Sequence, residues 1–261
     1  MKDFKELMEP FPQYFQIMIA DTPDLMKKVH QVRYEVFCKE FHFEREEDCP
    51  GGLEKDDYDA QSVHCLIVHR ASNRPAGCVR LIYTREDDPS AALPIERYCG
   101  ASFHPGDTHP SRLPRSGLCE ISRLAVSGYF RKRRGESASP VGVVQNVPTI
   151  SELEERTFPL ISLALFLAVL SISILTQRSN SLSVMEPWLA RQLRMMGFSF
   201  QQIGEVTEYH GARAPFHYSL EQALANKEKS PLLRELFKLV DPIIEAEAQR
   251  ARLVYNAHDE L

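Results

Sequence analysis

Four charged side chains sit where charge is costly. Arg33 lies one residue from an apolar helical stripe, Arg80 interrupts "AGCVRLIY", and Glu120 and Arg123 interrupt "CEISRLAV". A charge inside an apolar strand is expensive unless it is paired. The acidic segment "EKDDYD" offers Glu54, Asp56 and Asp59 as partners, so the three arginines and these carboxylates predict a shared ion-pair network. Such a network can be purely structural, but perturbed charges also gather at functional sites.

The spacing of the acid and the base is itself informative. Residues 120 and 123 are three apart, and a regular strand sends them to opposite faces. A β-bulge between Glu120 and Val126 would turn both toward one cleft. It would also free a backbone N–H, the kind of donor that stabilises the oxyanion of acyl transfer. Just past this strand come four consecutive cations, Arg131, Lys132, Arg133 and Arg134, on a chain of net charge −5. A basic patch on an acidic protein either steers an acidic partner or is a solvated loop.

These residues need elements to hold them. "FQIMIA" reads as a first strand. Thr22 and Pro23 are good N-cap and first-turn residues, and Leu25, Val29, Val32, Val36 and Phe37 recur at helical spacing, predicting a helix over 23–41. "SVHCLIVH" and "AGCVRLIY" form a hairpin around the turn-rich "RASNRP". The quoted strand follows a long loop over 85–117. Next come a loop near 128–150, an apolar helix, the strand "SLSVME", a short helix closed by Gly197, two strands and a helical tail. This order gives one α/β (α+β) domain with a mixed sheet flanked by helices.

Composition narrows the class. The 261 residues suit one large domain, and the slightly negative charge gives no case for nucleic-acid binding. The six cysteines are scattered with no C-x-x-C, so neither a metal site nor a redox motif is legible. The N-terminus lacks the apolar core of a signal peptide, so a cytoplasmic, reduced protein is expected. "FPLISLALFLAVLSISIL", residues 158–175, carries no charge. As a helix it would be roughly 27 Å long, close to a bilayer core. Strands on both sides that join one sheet would forbid a span between them, so a buried helix is expected. A peripheral membrane contact stays open.

Four motifs now stand in order: "RYEVF" (33–37), "EKDDYD" (54–59), "GCVRL" (77–81) and "EISRLAV" (120–126). They resemble the R-x-x-x-F, E-x-D-x-[FY]-D, G-C-x-R-L and E-x-S-R patterns of acyl-homoserine-lactone (autoinducer) synthases. The resemblance implies a GNAT-like N-acyltransferase fold with a bulged central strand. It covers 15–127 well and the later half more loosely. The tryptophan expected soon after the first helix is missing, with Phe41 or Phe43 in its place; the only tryptophan is Trp188. The stretch from Met185 to Phe216 is more similar to acyltransferases associated with the PEP-CTERM/exosortase system, themselves similar to long-chain N-acyl amino acid synthases.

The chain is longer than those autoinducer synthases, with extra loop between 128 and 155 and a helical tail, so the expected organisation is a GNAT-like domain over 1–228 and a helical extension over 229–261, packed on the domain or trailing it. The resemblance implies transfer of a long-chain acyl group to the amine of an amino acid, from acyl-carrier protein in preference to coenzyme A. No metal and no tightly bound cofactor are implied. Glu120 and Arg123 become the catalytic candidates, with Glu120 as base. Arg33, Phe37, Asp56, Asp59 and Arg80 become substrate-site candidates, Arg123 or Arg80 pairing with the acceptor carboxylate. Arg131 to Arg134 become the contact for the carrier or its pantetheine arm. The apolar helix and the Phe- and Met-containing segments would line an acyl tunnel. Two alternatives remain: a homoserine-lactone synthase using S-adenosylmethionine, and a non-catalytic acyl-chain-binding module.

Overall fold

The computed structural model describes residues 8–85, 88, 90–131, 154 and 156–253. Strand β1 (Phe15–Ile19) leads into helix α1 (Pro23–Arg33), whose first turn is capped by the Thr22 hydroxyl accepting from the Leu25 N–H. The predicted helix continues to Glu40, but its second half, Tyr34–Glu40, is a π-helix. There the Phe41 N–H reaches back to the Val36 carbonyl. The wider turn keeps Val36, Phe37 and Cys38 inward while Arg33 is fully buried.

Strands β2 (Ser62–His69) and β3 (Pro75–Tyr83) form the expected hairpin, and helix α2 (Pro94–Cys99) lies in the loop before β4 (Leu118–Val126). Helix α3 (Pro159–Leu175) then crosses to β5 (Asn180–Met185), followed by helix α4 (Pro187–Met195). The last predicted pair of strands resolves into two short pieces, β6 (Gln201–Gln202) and β7 (Thr207–Glu208), both paired to β8 (Ala212–Ser219). The break falls where Gly204 bridges to Phe103, so close that an added Cβ would meet the Ser102 carbonyl at 2.6 Å. Helices α5 (Leu220–Lys229) and α6 (Pro231–Arg250) follow.

The sheet order is β1-β2-β3-β4-β5-β8-β6, with β7 also on β8. Among the described strands only β4 and β5 pair in parallel. The β3–β4 ladder carries the predicted bulge. Cys78 faces Ala125 but Arg80 faces Ser122, so Arg123 and Leu124 together oppose Val79, and Arg123 takes a φ of 50°. A left-handed conformation is costly for a side chain as large as arginine and is held here by its surroundings.

One face of the sheet carries α3 and α6. Phe15, Ile17, Cys65, Ile67, Val79 and Leu81 alternate toward them. The opposite face carries α1, over Leu66, Val68, Cys78 and Ala125. Nearly all of α3 is buried, packed between one face of the sheet and α6, which is what covers its run of apolar residues. Among the described residues no helix is long and apolar enough to cross a membrane. In the tail, α6 buries Leu233, Leu236, Phe237, Val240, Ile244 and Ala248 in that same core.

Candidate active site

The ion-pair network is present. Arg33 donates from Nε to Glu54 and from Nη1 to Asp59 Oδ1 at 2.6 Å. Arg80 donates from Nη1 to Asp56 and to Asp59 Oδ1 at 2.6 Å, and from Nε to the Ser122 hydroxyl at 3.0 Å. The bulge delivers Arg123 to the same cluster: it meets Glu54 at 3.2 Å, Asp56 at 3.4 Å and Glu44 at 3.0 Å. Asp56 and Asp59 also build a capping box around the turn Asp57–Gln61, which fixes both carboxylates toward the arginines.

Charge in this cluster is strongly biased. Burial pushes the Asp59 carboxyl up, but the His30 imidazole, 3.4 Å away, and the guanidinium groups of Arg33 and Arg80 outweigh it and hold the acid well below the ordinary range. Glu54 is likewise held low by Arg123 and Arg33 against its own burial. Burial drives His64 down to about 4, so its imidazole is neutral beside Asp59 at neutral pH. Arg33 and Arg80 are 0 % and 1 % exposed, so this part of the cluster serves to hold shape.

Glu120 stands apart from the network. Its only hydrogen bond described is from the Ile95 N–H to Oε2, at 2.8 Å. It is 4 % exposed, and burial pushes its carboxyl up to about 7, against the pull of that N–H and of Arg80 and Arg123. A carboxyl poised near neutrality can exchange a proton during turnover, which the salt-bridged acids around it cannot.

Glu120 and Arg123 both face a cleft of about 550 Å³. The cleft opens because β4 and β5 pair only from Leu118–Asn180 to Glu120–Leu182. Beyond that point Ile121 to Leu124 form one wall and Ser183 to Glu186 the other. Phe37, Asp56 and Arg80, read from the sequence, line it as well, whereas Arg33 and Asp59 lie behind in the network. Phe43 lines the cleft in the place expected for an aromatic, while Phe41 stacks on it and lies under Arg131.

Among the lining residues that the sequence did not point to are Glu44, Tyr209 and Arg213. Arg213 lies over the Phe43 ring, 4.7 Å from its centroid, and pairs with Glu186 at 3.5 Å. Its buried Nε has no hydrogen-bond partner. Tyr209 stacks on Tyr98, and burial pushes its hydroxyl up to about 12. A narrow apolar slot lies behind the cleft, between α3 and the sheet. Ile121 and Phe166 face both spaces, and Leu170, Phe198, Phe200 and Tyr218 line the slot.

The basic run reads differently in three dimensions. Arg131 is 3 % exposed, pairs with Glu40, donates to the Val126 carbonyl at 3.2 Å and covers the Phe41 ring. It is therefore a structural link between the end of β4 and the π-helical turn rather than a surface contact. The run's charge could be read from sequence, but the half-buried glutamate waiting for its first member could not. Lys132, Arg133 and Arg134 lie outside the described residues.

Residues 32–139 match the family model described as an acetyltransferase (GNAT) domain. The mixed sheet, the bulged β4 and its parting from β5 fit that match. The chain has a GNAT-like fold. Solved structures agree. The chain is 15% identical to the AHL synthase LasI, covering 79% of this chain and 89% of that one with a TM-score of 0.54. For FeeM, an N-acyl amino acid synthase from uncultured soil microbes, the values are 12%, 84%, 97% and 0.52. For BjaI, a CoA-dependent acyl-homoserine lactone synthase with SAM and isopentyl-CoA, they are 19%, 91%, 100% and 0.52. No curated relative matches the chain in sequence.

Proposed function

We propose that the protein is an N-acyltransferase that moves a long-chain acyl group from a carrier-protein or coenzyme A thioester to the amine of an amino acid. The observation that carries this reading is Glu120. It is a buried carboxyl near neutrality, outside the ion-pair network, facing a cleft that also holds the bulge of β4. An ammonium acceptor must lose a proton before it attacks a thioester, and Glu120 takes it directly or through water. Attack forms the new C–N bond and an oxyanion. Backbone N–H groups at Arg123 and Leu124, outside the regular β3–β4 pairing, would stabilise that oxyanion. Collapse expels the carrier thiolate, which recovers a proton.

The charges lining the cleft suit a zwitterionic acceptor. Arg123 already faces Glu44, Glu54 and Asp56, so a fourth carboxylate there meets repulsion. Arg213 has one carboxylate partner and a spare buried N–H, and it is the better mate for the acceptor carboxylate. Glu44, Asp56 and Glu120 would favour the ammonium end. The acyl chain would lie in the cleft and press past Ile121 and Phe166 into the apolar slot, which must open to admit it.

The test is to incubate the purified protein with acyl thioesters on carrier protein and on coenzyme A, together with an amino-acid mixture and S-adenosylmethionine. Mass spectrometry should find an N-acyl amino acid. A lactone formed only with S-adenosylmethionine would replace this reading with the autoinducer-synthase one. Acyl binding without turnover would favour a non-catalytic module.

A further inference from the structure

The arm that closes one side of the cleft begins and ends on a cysteine. Cys38 sits in the π-helical turn and Cys49 after the short turn Glu46–Asp48. Their sulfurs are 3.4 Å apart, and both residues are buried. All six cysteines lie among the described residues, and no other two of them bring their sulfurs within hydrogen-bonding reach of each other. We propose that Cys38 and Cys49 are a modification site, oxidised reversibly to a disulfide that tethers the arm carrying Phe43 and Glu44 into the cleft.

The framework that holds the two thiols together does not depend on the sulfurs. The Cys49 carbonyl accepts from the Gly52 N–H at 3.1 Å across a Pro50-Gly51 turn, with Gly51 at a φ of 74°. The Tyr34 hydroxyl donates to Glu46 at 2.8 Å, and Gly52 packs so tightly under the Tyr34 ring that a Cβ would lie 3.3 Å from it. The Phe43 N–H donates to the Phe37 carbonyl at 2.7 Å. A disulfide needs the sulfurs at roughly 2.05 Å, so together they must close by about 1.4 Å, within reach of side-chain adjustment.

The chemistry balances with hydrogen peroxide as oxidant. Cys49, 6 % exposed against 0 % for Cys38, is the sulfur a small oxidant reaches first. Its thiol gives up a proton, the thiolate takes one oxygen from peroxide to become a sulfenic acid, and the expelled hydroxide recovers that proton and leaves as water. The Cys38 thiol then displaces the second water and forms the S–S bond. The sum is two thiols and one peroxide giving one disulfide and two waters. The surroundings set the pace. Burial pushes both thiols up, Cys38 to about 12, and the carboxylates of Glu44, Glu54 and Asp48 add to this. Oxidation should therefore be slow at neutral pH and accelerate as pH rises.

The arm is where oxidation would be felt. Glu44 holds Arg123 at 3.0 Å, and Phe43 lies under Arg213. The decisive experiment is disulfide mapping of the folded full-length chain after graded hydrogen peroxide, with free thiols blocked before digestion. Trypsin cuts at Arg33, Lys39, Arg45 and Lys55, so the two cysteines leave in separate peptides, "YEVFCK" and "EEDCPGGLEK". We expect these two joined, lighter by two hydrogens, and separated again by dithiothreitol. The oxidised protein should melt roughly 5 °C higher, since the closed loop is short. Both peptides recovered fully blocked after peroxide would overturn the proposal. So would a joined pair that forms only in denaturant, or Cys38 joined to a different cysteine. None of these outcomes depends on the acyl-transfer reaction, so this proposal and the proposed function fail separately.

Discussion

Replacing Glu120 by glutamine should make the protein more stable at alkaline pH while disabling it. Burial raises the Glu120 carboxyl from its ordinary 4.5 to about 7. Below about pH 4.5 the group is protonated in both folded and unfolded chains, and its environment costs nothing. Between those values the unfolded chain has lost the proton and the folded one has kept it. Stability therefore drains away as pH rises, and the loss is complete above about 7. At about 1.4 kcal/mol per pH unit, the ionised carboxylate costs the fold roughly 3 kcal/mol. Glutamine keeps a carbonyl oxygen for the Ile95 N–H and carries no charge to desolvate. Urea unfolding of both proteins at pH 4.5, 6, 7.5 and 9 should show matching midpoints at the acid end and a lead for the variant that widens with pH. Wild-type kcat/KM should rise through about pH 7, whereas the variant should be flat and about 10²- to 10⁴-fold lower. A pH-independent stability difference, or a less stable variant at pH 9, would refute the picture of a desolvated base.

Arg80→Ala should cost roughly 3–5 kcal/mol in urea unfolding, because it strands Asp56 and Asp59 in a buried cluster; an unchanged midpoint would mean that the cluster stabilises nothing. Wild-type stability should also decline as pH falls below the ordinary carboxylate range. Asp59, Asp56 and Glu54 are held low, so their contribution is present above that range and lost as pH drops through their depressed values. Phe166→Ala should join cleft and slot and shift donor preference toward longer acyl chains in a competition between thioesters; the same preference would place the chain elsewhere. Arg131→Glu should lower the melting temperature and reduce use of carrier-bound and small thioesters alike. A loss confined to the carrier would restore Arg131 as a docking contact.

Much of this site was legible because charge inside apolar sequence demands partners. Arg33, Arg80 and the "EKDDYD" carboxylates predicted one another, and the three-residue spacing of Glu120 and Arg123 predicted the bulge seen at Val79. What escaped was anything that depends on a distant segment. Glu44 reads as one acid among many in a polar loop until Arg123 arrives from β4. Arg213 is an unremarked alternation in an ordinary strand until Glu186 and Phe43 flank it. Arg131 carries the same charge as the cations that follow it, and only the fold places Glu40 beside it. Likewise, no periodicity separates a π-turn from the α-helix that precedes it.

The helix that closes the chain touches the strand that opens the sheet. Glu247 accepts from the Ile19 N–H across 228 positions, and Arg250 grips Asp21 and the Ile19 carbonyl. Since β1 is an edge strand, these contacts satisfy backbone groups that would otherwise recruit another strand. The margin of the sheet is thus guarded by residues that lie 228 positions further along the chain. Losing the last turns of α6 would bare that margin and open it to strand addition from a second molecule, so clipping there would turn a monomer edge into an aggregation seed.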